Sequence, residues 1–288
     1  MTIYNLGSIN ADYFYDVPHI PRPGETLAAA SFSVGLGGKG ANMSVAAARA
    51  AARVVHIGCV GKDGAWTVER LTEYGVDTRH IAQGQHTGHA IITVDAHGEN
   101  SIVIYPGGNA EITSAHIGAA LSQANTGDIF LTQNETSGQA EAMKIARDLG
   151  LRTAYAAAPF HADAVRAVLP FLDFLILNEI EAAQLASEVG QTPDSLGILD
   201  MIVTLGSKGC RWYHHGNARD FPALSVDVVD TTGAGDTFTG YVLAGLDRGM
   251  PMEQAISLAT KAAAIMVTRH GTADVIPDLK DIQDRFSA

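Results

Sequence analysis

One stretch organises the interpretation of this chain: Val229-Asp230-Thr231-Thr232-Gly233-Ala234-Gly235-Asp236-Thr237-Phe238-Thr239-Gly240. The apolar, β-branched run at 224–229 predicts a strand, and apolar residues at helical spacing after residue 237 predict a helix. The small residues between them let the backbone turn tightly and direct several N–H groups at one point. Because the helix dipole adds partial positive charge there, we expect this turn to bind an anion such as a phosphoryl group.

Asp236 is the unusual member of this stretch, because a carboxylate beside an anion is electrostatically unfavourable. Acceptance of a proton next to a phosphate would justify the charge. Stabilisation of the first helical turn by an acidic residue would also justify it. The stretch alone leaves both interpretations open.

The segment from Asp230 to Asp236 also resembles the C-terminal signature of the ribokinase-like, or pfkB, family of carbohydrate kinases. The resemblance implies that Asp236 is the catalytic base. It also implies that the backbone of Gly233, Ala234 and Gly235 forms an anion hole for the transferred phosphoryl group.

A second glycine-rich stretch, 35–42, precedes an alanine-rich segment that is a strong helix former. Its Gly-x-Gly-x-x-Gly spacing also occurs in dinucleotide-binding proteins. That interpretation is disfavoured, because a β excursion precedes the stretch and the next predicted strand, 54–60, does not end in the expected acidic residue. Residues 37–42 instead resemble the N-terminal signature of the ribokinase-like family. The resemblance implies a lid hinge at the paired glycines and sugar contacts from Gly38, Lys39 and Asn42.

Polar residues follow two further predicted strands. Asn10 and Asp12 come at the end of the predicted strand 3–9, where ligands bind in open α/β sheets. In an extended chain both face the same side and can read hydroxyl groups, although an Asx turn would use the same residues. The stretch 131–136 resembles the family segment whose glutamate, here Glu135, lies in the sugar pocket.

The resemblance also implies ATP and two kinds of metal ion. Asn178 and Glu181 match the family's Asn-x-x-Glu motif, which handles the water network between Mg²⁺ and the phosphates. The same pair fits a helix N-cap and its capping-box partner. The implied nucleotide contacts are Asn178, Thr204, Gly206, Gly209, Gly235 and Thr260. A monovalent cation such as K⁺, held mostly by backbone carbonyls, is implied at Asp230, Thr232, Arg269 and Gly271.

Helical and strand patterns alternate from residue 112 onward, which predicts an α/β fold with a mostly parallel, doubly wound sheet and helices on both faces. The proline-rich segment 13–34 and a hairpin pattern at 90–105 predict a small β-sheet outside this core. We expect a large nucleotide- and substrate-binding domain at 1–12, 36–86 and 109–288, and a β lid at 13–35 and 87–108. Exposed strands need covering, so a homodimer through the lid is expected.

Composition limits the partners and the compartment. The net charge of −12 argues against a broad surface for nucleic acid or an anionic membrane. No apolar run reaches the roughly 18 residues of a membrane span, and no basic segment precedes an apolar block at the N-terminus. Cys59 and Cys210 lie far apart in apolar surroundings, which indicates buried free thiols in a reducing compartment. We therefore expect a cytoplasmic protein.

Two features depart from the family's pattern. The family commonly has Asn-Pro-Ala-Pro where this chain has Tyr155-Ala156-Ala157-Ala158-Pro159, so part of the substrate or phosphate pocket is expected to differ. The segment 182–202 is short, which indicates that a peripheral helix has been trimmed.

Together, the motifs predict an ATP-dependent sugar kinase that phosphorylates a primary hydroxyl, and the resemblance points to D-ribose. A kinase for fructose, another hexose derivative or a nucleoside is an alternative, in which Tyr13, Phe14 or Phe32 would contact a base. An alternative of another class is a non-catalytic sugar- or nucleotide-binding protein. The presence of Asp236 with its glycines disfavours it, because a binding protein gains nothing from that carboxylate.

Overall fold

The computed structural model describes residues 1–190, 192 and 195–286. The strands are β1 (Ile3–Leu6), β2 (Asn10–Val17), β3 (Ser31–Gly37), β4 (Val54–Val60), β5 (Asp77–Gln83), β6 (Gly88–Asp95), β7 (Asn100–Tyr105), β8 (Ile129–Gln133), β9 (Arg152–Ala156), β10 (Phe174–Asn178), β11 (Asp200–Thr204), β12 (Cys210–His214) and β13 (Asn217–Phe221). The helices are α1 (Lys39–Arg49), α2 (Ala65–Glu73), α3 (Ser114–Leu121), α4 (Gln139–Asp148), α5 (Ala162–Val168), α6 (Glu179–Val189), α7 (Ala234–Asp247), α8 (Met252–Met266) and α9 (Leu279–Phe286).

Within the described residues, the larger sheet has nine strands in the order β13-β12-β11-β10-β9-β8-β1-β4-β5. The strands from β11 to β5 are parallel, and β12 and β13 add an antiparallel edge. One apolar cluster includes residues of α1, α7 and α8, and a second includes residues of α3 to α6. The predicted doubly wound α/β fold is confirmed.

The order of this sheet reverses at β1, because its neighbours β4 and β8 lead to opposite edges. Ligands of open α/β sheets bind at such a point, beyond the carboxyl ends of the strands. Ser8 follows β1 and Glu135 follows β8 at this edge. The crevice beyond these two strand ends is therefore the expected place for a site.

The first core strand is shorter than predicted. The prediction of a strand over 3–9 is wrong beyond β1, because the chain crosses α1 there: a Cβ on Gly7 would lie 2.5 Å from the Cα of Gly40. The backbone after the crossing is hydrogen-bonded by the side chain of Asn109 and not by a sheet neighbour. Asn10 and Asp12 consequently lie on β2, in the smaller sheet.

The smaller sheet has four strands within the described residues, in the order β3-β2-β6-β7. β2 and β6 run parallel, whereas β2 with β3 and β6 with β7 are antiparallel. The predicted hairpin at 90–105 is confirmed as β6 and β7. Ile102, Val103 and Ile104 on β7 leave 50%, 64% and 57% of their surface exposed. This sheet thus presents an uncovered apolar edge.

The run before the glycine turn is not a strand. Residues 224–229, which were predicted to form one, pair with no strand of the described chain. The N–H groups of Val229 and Asp230 instead donate to the carbonyl of Val267, just after α8, over 2.7 and 3.1 Å. The chain therefore reaches α7 held by hydrogen bonds to the end of α8, and not as a further strand beside β13.

Helix α6 and strand β11 continue the alternation that is predicted from residue 112 onward. The shortening predicted between them falls partly on residues 191, 193 and 194, which lie outside the described residues. Every helix in the described part of the chain is too short or too polar to cross a bilayer.

Candidate active site

The glycine turn leads into the N-terminus of α7. Gly233 precedes the helix with a left-handed φ of 74°, which glycine adopts without strain. The N–H of Ala234 donates to the carbonyl of Thr231 over 3.2 Å. Within the described residues, no acceptor faces the N–H groups of Gly235 or Asp236. Two amide donors at the positive end of a helix are therefore open to an anion.

No described residue gives Gly235 a steric reason to be glycine. Its φ is ordinary, and a Cβ built on it would have no atom of the described residues within 4 Å. Gly235 also carries one of the two N–H groups that face no described acceptor. A ligand that approaches the backbone closely explains this glycine better than packing does.

Asp236 lies in the first turn of α7 and is 8% exposed. Its Oδ2 accepts a hydrogen bond from Asn42 Nδ2 on α1 over 2.9 Å. Burial raises the pKa of the Asp236 carboxyl, while the charge of Lys39 and the Asn42 bond oppose that rise. Lys39 in turn has a raised pKa, mainly because it faces Asp236. Asp236 can therefore act as a strengthened base that a neighbouring cation keeps ionised.

The N-terminus of α1 faces the same crevice, but protein groups close it. The N–H of Lys39 donates to Glu135 Oε2 over 3.0 Å. The next two N–H groups of α1 donate to Ser8. The N–H of Gly40 donates to its Oγ over 3.2 Å, and the N–H of Ala41 donates to its carbonyl over 2.9 Å. Packing requires the glycine at 40, since a Cβ there would lie 2.4 Å from the backbone N of Ser8. Helix α1 therefore offers side chains to the site and not an anion hole.

Asn10 and Asp12 project from the same face of β2 and are buried. Asn109, in the turn after β7, donates its amide to Asn10 Oδ1 over 2.8 Å. Burial, followed by the charge of Glu135, raises the pKa of Asp12 to about 7. Asn109 is a residue that sequence reasoning missed, and a polar residue directly after two glycines was the available signal.

The side-chain amide of Asn42 is hydrogen-bonded within the described residues at its nitrogen but not at its oxygen. Its Nδ2 binds Asp236, whereas no described residue hydrogen-bonds its buried Oδ1. A buried oxygen of this kind needs a donor, and a sugar hydroxyl supplies one. The donor set of the crevice thus suits a polyol.

The predicted sugar-binding residues meet in one crevice. Hydrogen bonds join Asn42 to Asp236 and Lys39 to Glu135, and electrostatic effects on the pKa join Asp12 to Glu135 and Lys39 to Asp236. Gly38 stands beside them as the residue before α1, with a left-handed φ of 93°. The crevice combines several carboxylates with the cation of Lys39, so it is acidic apart from the open amides of α7.

Asn178 and Glu181 form the capping box of α6. Glu181 N–H donates to Asn178 Oδ1 and Asn178 N–H donates to Glu181 Oε2, each over 2.8 Å. Burial raises the pKa of Glu181, which also experiences the charges of Lys39 and Asp236. The pair is thus a structural cap whose carboxylate is electrostatically coupled to the crevice. The role of the pair beside Mg²⁺ stays a prediction.

The predicted nucleotide positions lie at the ends of separate elements. Thr204 ends β11, and Gly206 begins the short 3₁₀ turn that follows it. Gly209 has a φ of 100°, and a Cβ there would lie 2.0 Å from the carbonyl O of Phe221, so backbone packing alone accounts for this glycine. Thr260 lies in α8 and donates to a carbonyl of its own helix. The described contacts do not by themselves give these residues a ligand.

The two segments predicted to wrap a monovalent cation are neighbours. Asp230 Oδ1 accepts from Thr232 N–H over 2.9 Å, and its Oδ2 accepts from Gly271 N–H over 3.4 Å. The side chain of Arg269 instead turns to Asp281 on α9. Within the described residues, no cluster of three or more His, Cys, Asp or Glu side chains could hold a metal ion.

The aromatic residues that a base would contact divide between the two faces of the smaller sheet. Phe14 lies two residues from Asp12 on the same face of β2. Tyr13 and Phe32 stack on each other on the opposite face, with ring centroids 6.2 Å apart. The suggestion that Tyr13 and Phe32 would contact a base is therefore wrong, because the pleat directs them away from the crevice.

The geometry agrees with the comparisons. A family model described as pfkB family carbohydrate kinase matches residues 2–279. This chain belongs to the pfkB family of carbohydrate kinases. Among its relatives, a ribokinase of Haemophilus influenzae is 36% identical over 292 residues, which cover 96% of this chain and 95% of that protein. A deoxyribokinase of Salmonella typhi is 30% identical over 303 residues, covering 100% and 99%.

Solved structures agree with this membership. Ribokinase of Cryptococcus neoformans in complex with ADP has a TM-score of 0.84 at 32% identity, covering 99% of both chains. Ribokinase of Arabidopsis thaliana in complex with ribose and ATP has a TM-score of 0.86 at 27% identity, covering 98% of this pfkB-family chain and 97% of that one. A Burkholderia thailandensis nucleoside kinase reaches 0.87 at only 19% identity, which shows the shared fold alone.

Proposed function

We propose that this carbohydrate kinase transfers the γ-phosphoryl group of ATP to the primary hydroxyl of D-ribose. The observation that carries the proposal is the buried Asp236, which Asn42 orients beside the open amides at the N-terminus of α7. Relatives named ribokinase, among them one solved with ribose and ATP, support ribose as the sugar.

Asp236 accepts the proton of the attacking hydroxyl. Its raised pKa increases its basicity, and Lys39 keeps it ionised until the proton arrives. The hydrogen bond from Asn42 fixes the carboxylate, so that its other oxygen is left for the substrate.

The expected anion hole of Gly233, Ala234 and Gly235 shifts along the turn, because Ala234 N–H donates to the Thr231 carbonyl. The amides of Gly235 and Asp236 stabilise the charge on the transferred group, because they need no reorganisation when that charge develops.

The sugar lies in the crevice between the two sheets. Asp12 and Glu135 accept hydrogen bonds from hydroxyls, while Asn10 and Lys39 donate to them. Asn42 Oδ1, which no described residue satisfies, accepts one more. The full proposed set is Asn10, Asp12, Gly38, Lys39, Asn42, Glu135 and Asp236.

ATP lies along the neighbouring strand ends, against Asn178, Thr204, Gly206, Gly209 and Gly235 and beside Thr260. Mg²⁺ supplies charge neutralisation on the phosphates when bound, and it keeps several waters and few protein ligands. Glu181 fits this role, because its half-buried carboxylate leaves Oε1 outside the capping box. A monovalent cation such as K⁺ fits between the segments that Asp230 bridges, with carbonyls of Asp230, Thr232, Arg269 and Gly271 as ligands.

The smaller sheet serves as the lid, in a two-part chain divided near residues 12, 35, 86 and 108. Lid closure excludes the water that would otherwise take the phosphoryl group. The two buried free cysteines fit a reducing, cytoplasmic compartment. The acidic net charge leaves the small molecule as the proposed partner, with no nucleic acid or membrane.

The outer face and edge of the lid form the proposed homodimer contact. Val34, Ile91, Val103 and Tyr105 share this face and are 43–64% exposed, and a soluble chain rarely leaves such a patch uncovered. We predict that Val103→Glu converts a dimer into a monomer in light scattering. Leu149→Glu, at an exposed apolar residue after α4, is the control and leaves the mass unchanged. A wild-type monomer at micromolar concentration contradicts this contact.

A substrate panel tests the function. Pentoses, hexoses and nucleosides are compared by coupled ADP release, with and without K⁺, alongside calorimetric binding of each compound. Ribose is expected to give the highest kcat/KM. If a hexose, deoxyribose or a nucleoside gives the highest value, that compound replaces ribose as the proposed substrate of the kinase. Binding without ADP release indicates a non-catalytic protein.

A further inference from the structure

A continuous network of buried polar side chains lies beneath the crevice, and the proposed reaction uses none of it. Its members are Asn5 on β1, Ser44 on α1, His56 on β4 and Gln133 on β8, each at most 1% exposed. We call these four residues the buried network. Polar side chains in the middle of a sheet are costly unless they are hydrogen-bonded.

The direction of each hydrogen bond in the buried network follows from the groups themselves. A carbonyl only accepts, so His56 Nε2 carries the proton that is donated to the Gly7 carbonyl over 3.0 Å. Burial lowers the pKa of His56 to about 4, so the ring is neutral and its Nδ1 is an acceptor. Ser44 Oγ therefore donates to Nδ1 over 2.8 Å and accepts from Asn5 Nδ2 over 2.8 Å.

The buried network ends at the substrate side of α1. Asn5 Nδ2 also donates to the carbonyl of Gly40, in the first turn of α1, over 2.8 Å. Gln133 Nε2 donates to Asn5 Oδ1 over 2.9 Å, which fixes the orientation of that amide. The network therefore joins Gly40 to Gly7, the two glycines that cross at contact distance.

Gly40 stands between the two α1 residues that reach Asp236. Lys39 precedes it and faces Asp236 electrostatically, and Asn42 follows it and donates to the same carboxylate. A displacement of the first turn of α1 therefore moves both partners of Asp236 together. We propose that Asn5, Ser44 and His56 are positioning residues that hold this turn in register with α7 and so set the affinity for the sugar.

This inference rests on the proposed sugar-kinase function. The alternative is that the buried network only satisfies the hydrogen-bonding needs of its own polar groups and does not position α1. A matched pair of variants separates the two. Ser44→Ala removes the hydroxyl that links His56 to Asn5. Thr153→Val removes another fully buried hydroxyl, near the amino end of β9, where it donates to the Phe171 carbonyl.

Both variants are expected to lose some thermal stability, because each leaves buried polar groups without a partner. Only Ser44→Ala is expected to raise the KM for the sugar, by about tenfold, as the misplaced turn weakens the crevice. The KM for ATP stays within about twofold in both variants, since the nucleotide contacts lie on other elements. An unchanged sugar KM in Ser44→Ala, or an equal rise in Thr153→Val, overturns the proposal.

Amide hydrogen exchange supplies a readout that does not depend on catalysis. The N–H groups of Gly40 and Ala41, both held by Ser8, are expected to exchange about tenfold faster in Ser44→Ala and at the wild-type rate in Thr153→Val. Unchanged exchange in Ser44→Ala contradicts the positioning role. If the wild-type protein phosphorylates no sugar, the proposed function fails, while the exchange comparison still decides whether the network positions α1.

Discussion

Two helices present their N-termini to one crevice, and their glycines have different causes. At α1, Glu135 and Ser8 take up the first N–H groups, and a Cβ on Gly40 would collide with the Gly7–Ser8 backbone. At α7, two N–H groups face no acceptor of the described residues, and a Cβ on Gly235 would meet nothing. Both termini carry the same helix dipole.

The difference shows that a glycine-rich stretch before a helix does not by itself mark an anion site. The glycines of α1 allow two segments of backbone to cross, so their function is to place side chains. The glycine at 235 leaves room that no described residue fills. The structure therefore divides the crevice into a closed side, whose helix amides the protein itself satisfies, and an open side, whose amides face no described acceptor. We propose that the closed side binds the sugar and that the open side receives the phosphoryl group.

Asp236 on the open side should give the largest effect. Asp236→Asn keeps the hydrogen-bonding shape but cannot accept a proton, so kcat should fall about 10³- to 10⁴-fold, the upper range for a lost general base. Binding of sugar and ATP by calorimetry should remain near the wild-type level. Asp247→Asn, at the other end of the same helix, removes another buried carboxyl with a raised pKa and is the control. Near-normal turnover of Asp236→Asn would refute the base assignment.

A substitution at Gly37, in the expected lid hinge, tests whether close packing holds Asp12 in place on the closed side. A Cβ on Gly37 would lie 1.8 Å from Asp12 Oδ2, whereas a Cβ on Gly35 would lie 3.6 Å from the Phe14 ring, an ordinary contact. Gly37→Ala should therefore lower kcat/KM for the sugar about 10²-fold by displacing Asp12. Gly35→Ala, two residues away on β3, should change it less than about twofold. Equal effects in steady-state kinetics would show that Asp12 does not depend on this glycine.

The smallest predicted effect is the release of a proton from Asp12 when the sugar binds. Its pKa of about 7, against the usual 3.8, means that the folded protein holds a proton there which the unfolded chain has lost between about pH 4 and 7. Because Asp12 ionises first in the unfolded chain, the free energy of unfolding falls as the pH rises through this window. Hydroxyl donors favour the carboxylate, so sugar binding at pH 6.5 should release roughly half a proton or more.

Calorimetry in buffers of different ionisation enthalpy measures this release directly. Asp12→Asn cannot ionise and should abolish the dependence on the buffer, with weaker sugar binding. Buffer-independent binding by the wild-type protein would mean that Asp12 is already ionised in the free crevice, or that it does not contact the sugar.

Most of the fold could be predicted because its signals are local. The alternation after residue 112 fixed the parallel sheet, and the hairpin at 90–105 stands where its pattern indicates. The short first strand could not be predicted, because it ends where Gly7 meets Gly40, a contact between residues far apart in the chain. The run at 224–229 has strand composition, yet it pairs with no strand of the described chain, because its last residues are hydrogen-bonded to the Val267 carbonyl after α8.

The site could be predicted only as separate motifs. The sequence placed Asn42 and Asp236 in different signatures, and only the folded chain joins them by a hydrogen bond. Asn109 and the buried network belong to no sequence motif. Their hydrogen-bond partners lie on other elements, as Ser44 and His56 show. The faces of Tyr13 and Phe32 likewise depend on the register of the smaller sheet.

The most direct test of the open side compares Gly235→Ala with Gly118→Ala, because a Cβ on either helical glycine meets no described atom within 4 Å. Both substitutions should raise the free energy of unfolding slightly, by about 0.5–1 kcal/mol for Gly→Ala within a helix. Only Gly235→Ala should lose turnover, by about 10²-fold, because its methyl group occupies the place of the phosphoryl group. Wild-type turnover in a stable Gly235→Ala protein would contradict the claim that α7 holds this space open for phosphoryl transfer.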